Sequence, residues 1–174
     1  KIKHDTFIGK EGKVTNKLTL KEKHGYSKEK DKRWRTILNK FGFYQKMDPR
    51  IKDILGRHNN LAMLRIYVPK GARLTDSEGI PLNEIKVKFD KDLDKTYFLV
   101  RREIKSGQAS EISLSYELPF KLNFDPAADY RLILQKHPGR KGDHFEKNFL
   151  THPYLKTYRY LPKAAREDEY GIRR

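Results

Sequence analysis

The chain contains no cysteine. Disulfides, thiolate metal centres and cysteine nucleophiles are therefore excluded together, and the fold must be held by its core alone. No apolar stretch approaches the roughly 20 residues that a membrane-spanning helix needs, and no signal peptide is recognisable. Acidic residues are scarce: 23 Asp and Glu face 39 Lys and Arg, which leaves a formal net charge of +16. A phosphate-binding P-loop, a Gly-x-Ser-x-Gly elbow and a dinucleotide glycine pattern are all missing. The six histidines (His4, His24, His58, His137, His144 and His152) are scattered, and none sits at metal-ligand spacing from another. No acid–base pair or nucleophile constellation can be named. The chain reads as non-enzymatic, with no catalytic residues, no metal and no cofactor.

What is present points to a folded domain. The 174 residues suffice for one domain with a real core. The hydrophobic and charged fractions, each 36%, depart from the usual values of roughly 45–50% and ~25% in the direction of disorder. Against that stand 10 Tyr, 9 Phe and one Trp, many at alternating positions, whereas a disordered chain has nothing in which to bury them. The surplus positive charge attracts polyanions: nucleic acid, anionic lipid, or wall polymers such as teichoic acids. A merely solvated lysine-rich surface is the plain alternative.

Period-two patterns dominate the chain. In Val14–Lys21, Val14, Leu18 and Leu20 share one face and Lys17 and Lys21 the other. Gly9 to Gly12 reads as a turn, which makes Lys3–Ile8 a hairpin partner. Trp34, Ile37, Leu38 and Phe41 then recur at helical spacing within Lys32–Tyr44, and Asp48-Pro49 opens a second short stripe of Ile51, Ile54 and Leu55. This helical insertion, about residues 31–57, is expected to pack over an edge or end of a sheet. Leu61–Val68 is nearly continuous in apolar residues and predicts a central strand buried on both faces. Glu84–Phe89, Thr96–Ile104, Glu111–Leu118, Tyr130–Lys136 and His144–Leu150 predict further strands, punctuated by Ser77-Glu78-Gly79, Ser106-Gly107 and His137-Pro138-Gly139. The expected fold is mainly β, an antiparallel immunoglobulin-like sandwich with a short helical insertion between early strands. It occupies residues 1–162 as a single domain, followed by a charged, frayed tail at 163–174.

Two features suggest sites. Asp90, Asp92 and Asp94 evoke a calcium loop, but the sixth and twelfth positions hold Lys95 and Arg101 where Gly and Glu belong. A solvated hairpin loop fits them better. Basic residues cluster around Trp34 and near strand ends, and Arg33, Arg35, Arg101, Arg102, Arg140 and Lys141 are the candidate anion-binding residues. Gly139-Arg140-Lys141-Gly142 has the form of a hairpin turn, since a phosphate loop needs a helix N-terminus behind it. Trp34 lies in register with Ile37, Leu38 and Phe41 and is expected to face the core, which removes a stacking platform for nucleic acid.

From Leu64 to Gly139 a series of motifs is recognisable. It runs Leu64-Arg-Ile-Tyr-Val-Pro-Lys-Gly71, Leu74 with Ser77-Glu-Gly79, Thr96-Tyr-Phe-Leu-Val100, and Ser106-Gly107 leading into Ile112-Ser-Leu-Ser-Tyr-Glu-Leu-Pro119. Tyr130-Arg-Leu-Ile-Leu-Gln-Lys-His-Pro-Gly139 closes it. The series resembles the C-terminal β-domain of the domain-of-unknown-function 4012 family of bacterial envelope proteins. The resemblance covers less than half of the chain, and the helical insertion, the basic surface and the Tyr-rich tail depart from it. It implies a sandwich displayed outside the membrane, with no catalytic residues to carry over and an anchor upstream of Lys1. The expected function is that of a binding or display module at the cell surface, whose partner is an anionic wall polymer or another protein. The alternative is a cytosolic nucleic-acid-binding protein that uses its basic surface.

Overall fold

The computed structural model describes residues 1–52, 59–134, 144–159 and 161, and the backbone of two short strands at 166–168 and 171–173. The protein is mainly β, and its strands form two sheets. Strands β1 (Ile2–Ile8) and β2 (Lys13–Lys23) are the expected antiparallel hairpin, in register from Ile8↔Val14 to Ile2↔Leu20. The turn between them requires Gly12: its φ is 79°, and a Cβ there would collide with the Leu122 backbone.

After β2 the chain turns helical in α1 (Lys28–Lys40), α2 (Phe43–Lys46) and α3 (Pro49–Lys52). Ser27 caps α1, accepting a hydrogen bond from the Lys30 amide at 3.2 Å. The helical insertion is therefore present, but its apolar stripe is not a core face. No residue of α1 is buried, Trp34 is 47% exposed, and Ile37 and Phe41 are exposed as well. Helical spacing of apolar residues does not reveal whether anything covers them, and among the described residues no sheet buries this stripe. Ile54 and Leu55 lie outside the described residues.

The remaining strands are β3 (Asn60–Pro69), β4 (Arg73–Glu78), β5 (Lys86–Asp90), β6 (Lys95–Ile104), β7 (Ala109–Lys121), β8 (Phe145–Thr151), β9 (Arg166–Asp168) and β10 (Gly171–Arg173). The large sheet runs β4-β7-β2-β1-β8-β10-β9 and the small one β3-β6-β5. Gly79, just after β4, has a φ of 77°, and a Cβ there would strike the Glu111 carbonyl. Between the sheets lie Val14, Val68, Ile85, Phe98, Val100, Ile112, Leu114, Tyr116 and Leu118, all buried. Phe98 meets Tyr116 edge-on, with ring centroids 5.6 Å apart. Fully burying each such aliphatic or Phe side chain contributes roughly 1.5–3 kcal/mol, so this seam is where the two sheets are held together.

Three expectations about strands differ from the structure. β3 is not central: it forms one edge of the small sheet, with β6 in the middle. Its residues alternate, Leu64, Ile66 and Val68 turning inward while Leu61, Met63, Arg65 and Tyr67 are exposed. An unbroken apolar run reads as buried on both faces even when one face is open. Residues 130–134 are irregular rather than a strand; Ile133 is 92% exposed, while Tyr130 turns inward to hydrogen-bond Thr6 and Asn16. Residues 135 and 136 lie outside the described residues. Finally, the tail is not wholly frayed, because β10 pairs antiparallel with β8 and β9 with β10, satisfying the edge that β8 would otherwise leave open.

Candidate functional site

The two outward sheet faces treat charge differently. On the large sheet, register sets cations beside carboxylates: Lys13 and Arg73 both bind Glu117, Lys17 binds Glu78, Lys21 binds Glu111, and Lys3 binds Asp5, at 2.6–3.1 Å. Lys13 foremost, and then Arg73, hold the Glu117 carboxyl below the ordinary range. Most of this face is electrically closed.

The small sheet is open. Lys86 pairs in register with Leu99 and Lys88 with Tyr97, while across β6 Arg65 faces Leu99, Tyr67 faces Tyr97 and Met63 faces Arg101. Because alternate residues share a face, this brings Lys86, Lys88, Arg65 and Arg101 onto one surface around Tyr67 and Tyr97. The two tyrosine rings are 5.4 Å apart, and the Arg65 guanidinium lies 5.6 Å from the Tyr97 centroid. Among the described residues, Lys86, Lys88, Arg65 and Arg101 make no ion pair. The carboxylates of Asp90 and Glu103 share this face. Asp90, at its edge, accepts the Tyr67 hydroxyl at 3.0 Å and the amides of Asp92 and Leu93. The Leu93 amide, the Tyr67 phenol and the Asp92 amide draw the Asp90 pKa down. Glu103, two residues from Arg101 on β6, accepts from the Asn59 side-chain amide. Asp94 is bound by Lys70 at 2.8 Å. The aspartate run thus stabilises its own hairpin turn, in line with the loop reading.

The six sequence candidates do not converge. Arg101 belongs to the open face. Arg102, its neighbour, is a correction: strand alternation turns it inward, where it is buried 3.3 Å from Glu22 and cannot reach a surface polymer. Arg33 and Arg35 lie apart on α1, where Arg35 is bound by Asp31 at 2.8 Å and lies over the Tyr44 ring. Arg140 and Lys141 lie outside the described residues. The sequence does not point to Arg65, because the apolar run of β3 reads as buried on both faces. Lys86 and Lys88 were visible as the outward set of an alternating strand, but nothing indicated which strands they would lie beside.

A second cluster had no counterpart in the sequence reading. Strand β1 pairs in parallel with β8, setting His4 opposite Lys147 and Thr6 opposite Phe149, while β2 sets Asn16 opposite Thr6. The inward positions of three adjacent strands are therefore polar, and all are buried: His4, Thr6, Asn16 and Lys147. The hydrogen bonds run in one direction. Lys147 Nζ donates to Thr6 Oγ1, and Thr6 donates to Asn16 Oδ1 at 2.5 Å. Lys147 also lies 3.0 Å from His4 Nδ1, which assigns that nitrogen as an acceptor and leaves Nε2–H to donate to the Tyr116 hydroxyl at 3.0 Å. Burial pushes Lys147 down to about 7, opposed in part by Asp5. Burial, followed by the charge on Lys147, pushes His4 down to about 3. The Tyr116 hydroxyl is pushed up by burial and then by Tyr130. At neutral pH, then, His4 is uncharged and Lys147 is poised near half protonation.

Among the described residues, no group of three or more His, Asp or Glu could hold a metal ion, and no helix is long and apolar enough to cross a membrane. Comparison with family models, with curated proteins and with solved structures finds no match to this chain.

Proposed function

We propose that the domain is a non-enzymatic, extracytoplasmic binding module of a bacterial surface protein, and that the outward face of its small sheet holds an anionic wall polymer. The contrast between the two sheet faces carries this reading. Most outward cations of the large sheet are ion-paired with carboxylates, whereas among the described residues Lys86, Lys88, Arg65 and Arg101 form no ion pair. A polymer with repeating phosphates can run along such a row, its backbone packing on Tyr67 and Tyr97. The resemblance to envelope proteins supports the extracytoplasmic side.

One observation favours a second reading. Trp34 is half exposed between Arg33 and Arg35, so α1 offers the stacking platform and phosphate contacts that single-stranded nucleic acid uses. Titration with purified teichoic acid and with an oligothymidylate separates the two. On the wall-polymer reading, Lys88→Glu/Arg101→Glu lowers teichoic acid affinity about tenfold, equivalent to ~1.4 kcal/mol, and Trp34→Ala leaves it unchanged. Oligonucleotide binding at physiological salt that collapses with Trp34→Ala, together with no teichoic acid binding, would replace this reading with the second.

A further inference from the structure

Beside the buried polar row lies a cavity of about 730 Å³. Its walls are more apolar than polar, with Ile8, Leu122, Phe124, Phe149 and Leu155 among them, and Lys147 and Tyr130 are also part of its lining. The size falls within the roughly 300–1,000 Å³ of small-molecule sites, and an apolar wall with a few convergent polar groups is their usual make-up.

The chemistry of Lys147 indicates what enters. Buried cations are ordinarily paired, because an isolated charge in a low-dielectric setting is costly. Lys147 is only 7% exposed, yet among the described residues no carboxylate forms a salt bridge with it. Its neighbours are neutral acceptors, Thr6 Oγ1 and His4 Nδ1, and the ring faces of Tyr130 and Phe149 at 5.7 and 6.0 Å. An ammonium has three donors; two are used, and one remains. The Tyr130 hydroxyl is spent on Asn16 Oδ1, so the donor the wall offers a carboxylate is the remaining N–H of Lys147.

We propose that this cavity binds an apolar monocarboxylate of the fatty-acid class, its carboxylate paired with Lys147 and its apolar body against the phenylalanine and leucine walls. The site is distinct from the outward basic face and stands or falls independently of it. The groups facing Lys147 are His4 and Thr6 from β1, Tyr130, and Phe149 from β8, with Asn16 behind Thr6 and Tyr116 behind His4. Asp5 acts from the opposite face of β1, and Asp129, Lys156 and Arg159 lie elsewhere on the lining. His4 stays neutral over the range that matters. Binding an anion favours the charged amine and so takes up a proton. Affinity is therefore highest where Lys147 is already protonated and falls as pH rises through about 7 and beyond.

The test is a calorimetric titration with dodecanoate, below its micellar concentration, against dodecanol. The wild-type protein should bind dodecanoate at least about tenfold more tightly than dodecanol, a gap of one charge-assisted pair. Lys147→Met should abolish that preference while still admitting dodecanol. Dodecanoate affinity should weaken about eightfold between roughly pH 7.5 and pH 8.5 in the wild type, and not in Lys147→Met. Lys88→Glu/Arg101→Glu should leave all of this unchanged. Absence of saturable binding overturns the proposal, as does equal affinity for acid and alcohol, or binding lost through the surface variant instead of Lys147→Met.

Discussion

At the scale of single residues, the least expected feature is a lysine and a histidine buried together on the inner side of a sheet. Both have folded-state pKa values below their ordinary ones, about 7 for Lys147 and about 3 for His4. The sign of the linkage follows. Between about 7 and 10.5 the unfolded chain carries the Lys147 proton and the folded chain does not, so stability rises with pH across that window. Between about 3 and 6.5 the same holds for His4. Each group contributes a slope of at most about 1.4 kcal/mol per pH unit. Denaturant melts of the wild type should therefore show stability still increasing above neutrality, and Lys147→Met should flatten that upper limb while His4→Gln flattens the acidic one. A wild-type profile that is flat from about pH 7 to pH 10 would show that Lys147 is not buried as an amine.

At the scale of elements, the strands were legible in the sequence where one face is apolar and the other polar. β2, β6 and β7 follow their alternation nearly residue for residue, and Pro49 marks a helix start that exists, whereas α1 begins at Lys28, ahead of the expected Lys32. Alternation misled where it carried no information about partners. Met63 and Leu61 made β3 read as doubly buried, and the stripe of Trp34, Ile37, Leu38 and Phe41 made α1 read as a core helix. Neither pattern says what covers the face. The polar row was hidden for the opposite reason: His4, Thr6 and Lys147 break the apolar pattern at inward positions, and only the parallel pairing of β1 with β8, strands from opposite ends of the chain, brings them together. The status of α1 is open to a direct check, since Trp34 is the sole tryptophan. Native emission should already lie close to that of the unfolded chain, with ready quenching by acrylamide. Ser27→Ala should reduce helical circular dichroism by weakening the cap, about 1 kcal/mol locally, while leaving the global unfolding midpoint within error. A blue-shifted, protected tryptophan would restore the core-helix reading.

At the scale of the whole molecule, a net charge of +16 attracts any polyanion at long range and by itself specifies none. What the fold adds is an uneven distribution of unpaired charge. Ion-paired cations on the large sheet are screened by their own partners, and exposed pairs of that kind contribute little to stability. Among the described residues, Lys86, Lys88, Arg65 and Arg101 on the small sheet form no such pair. Location, and not total charge, is then what draws the polymer, and the two separate in variants of equal net charge. Lys86→Glu/Lys88→Glu and Lys17→Glu/Lys21→Glu alter the protein by the same number of charges, on opposite outward faces. Titrated with teichoic acid at physiological salt, the first should lose about tenfold in affinity and the second less than about twofold. Equal losses would show that total charge alone draws the polymer, and would contradict the assignment of the small-sheet face.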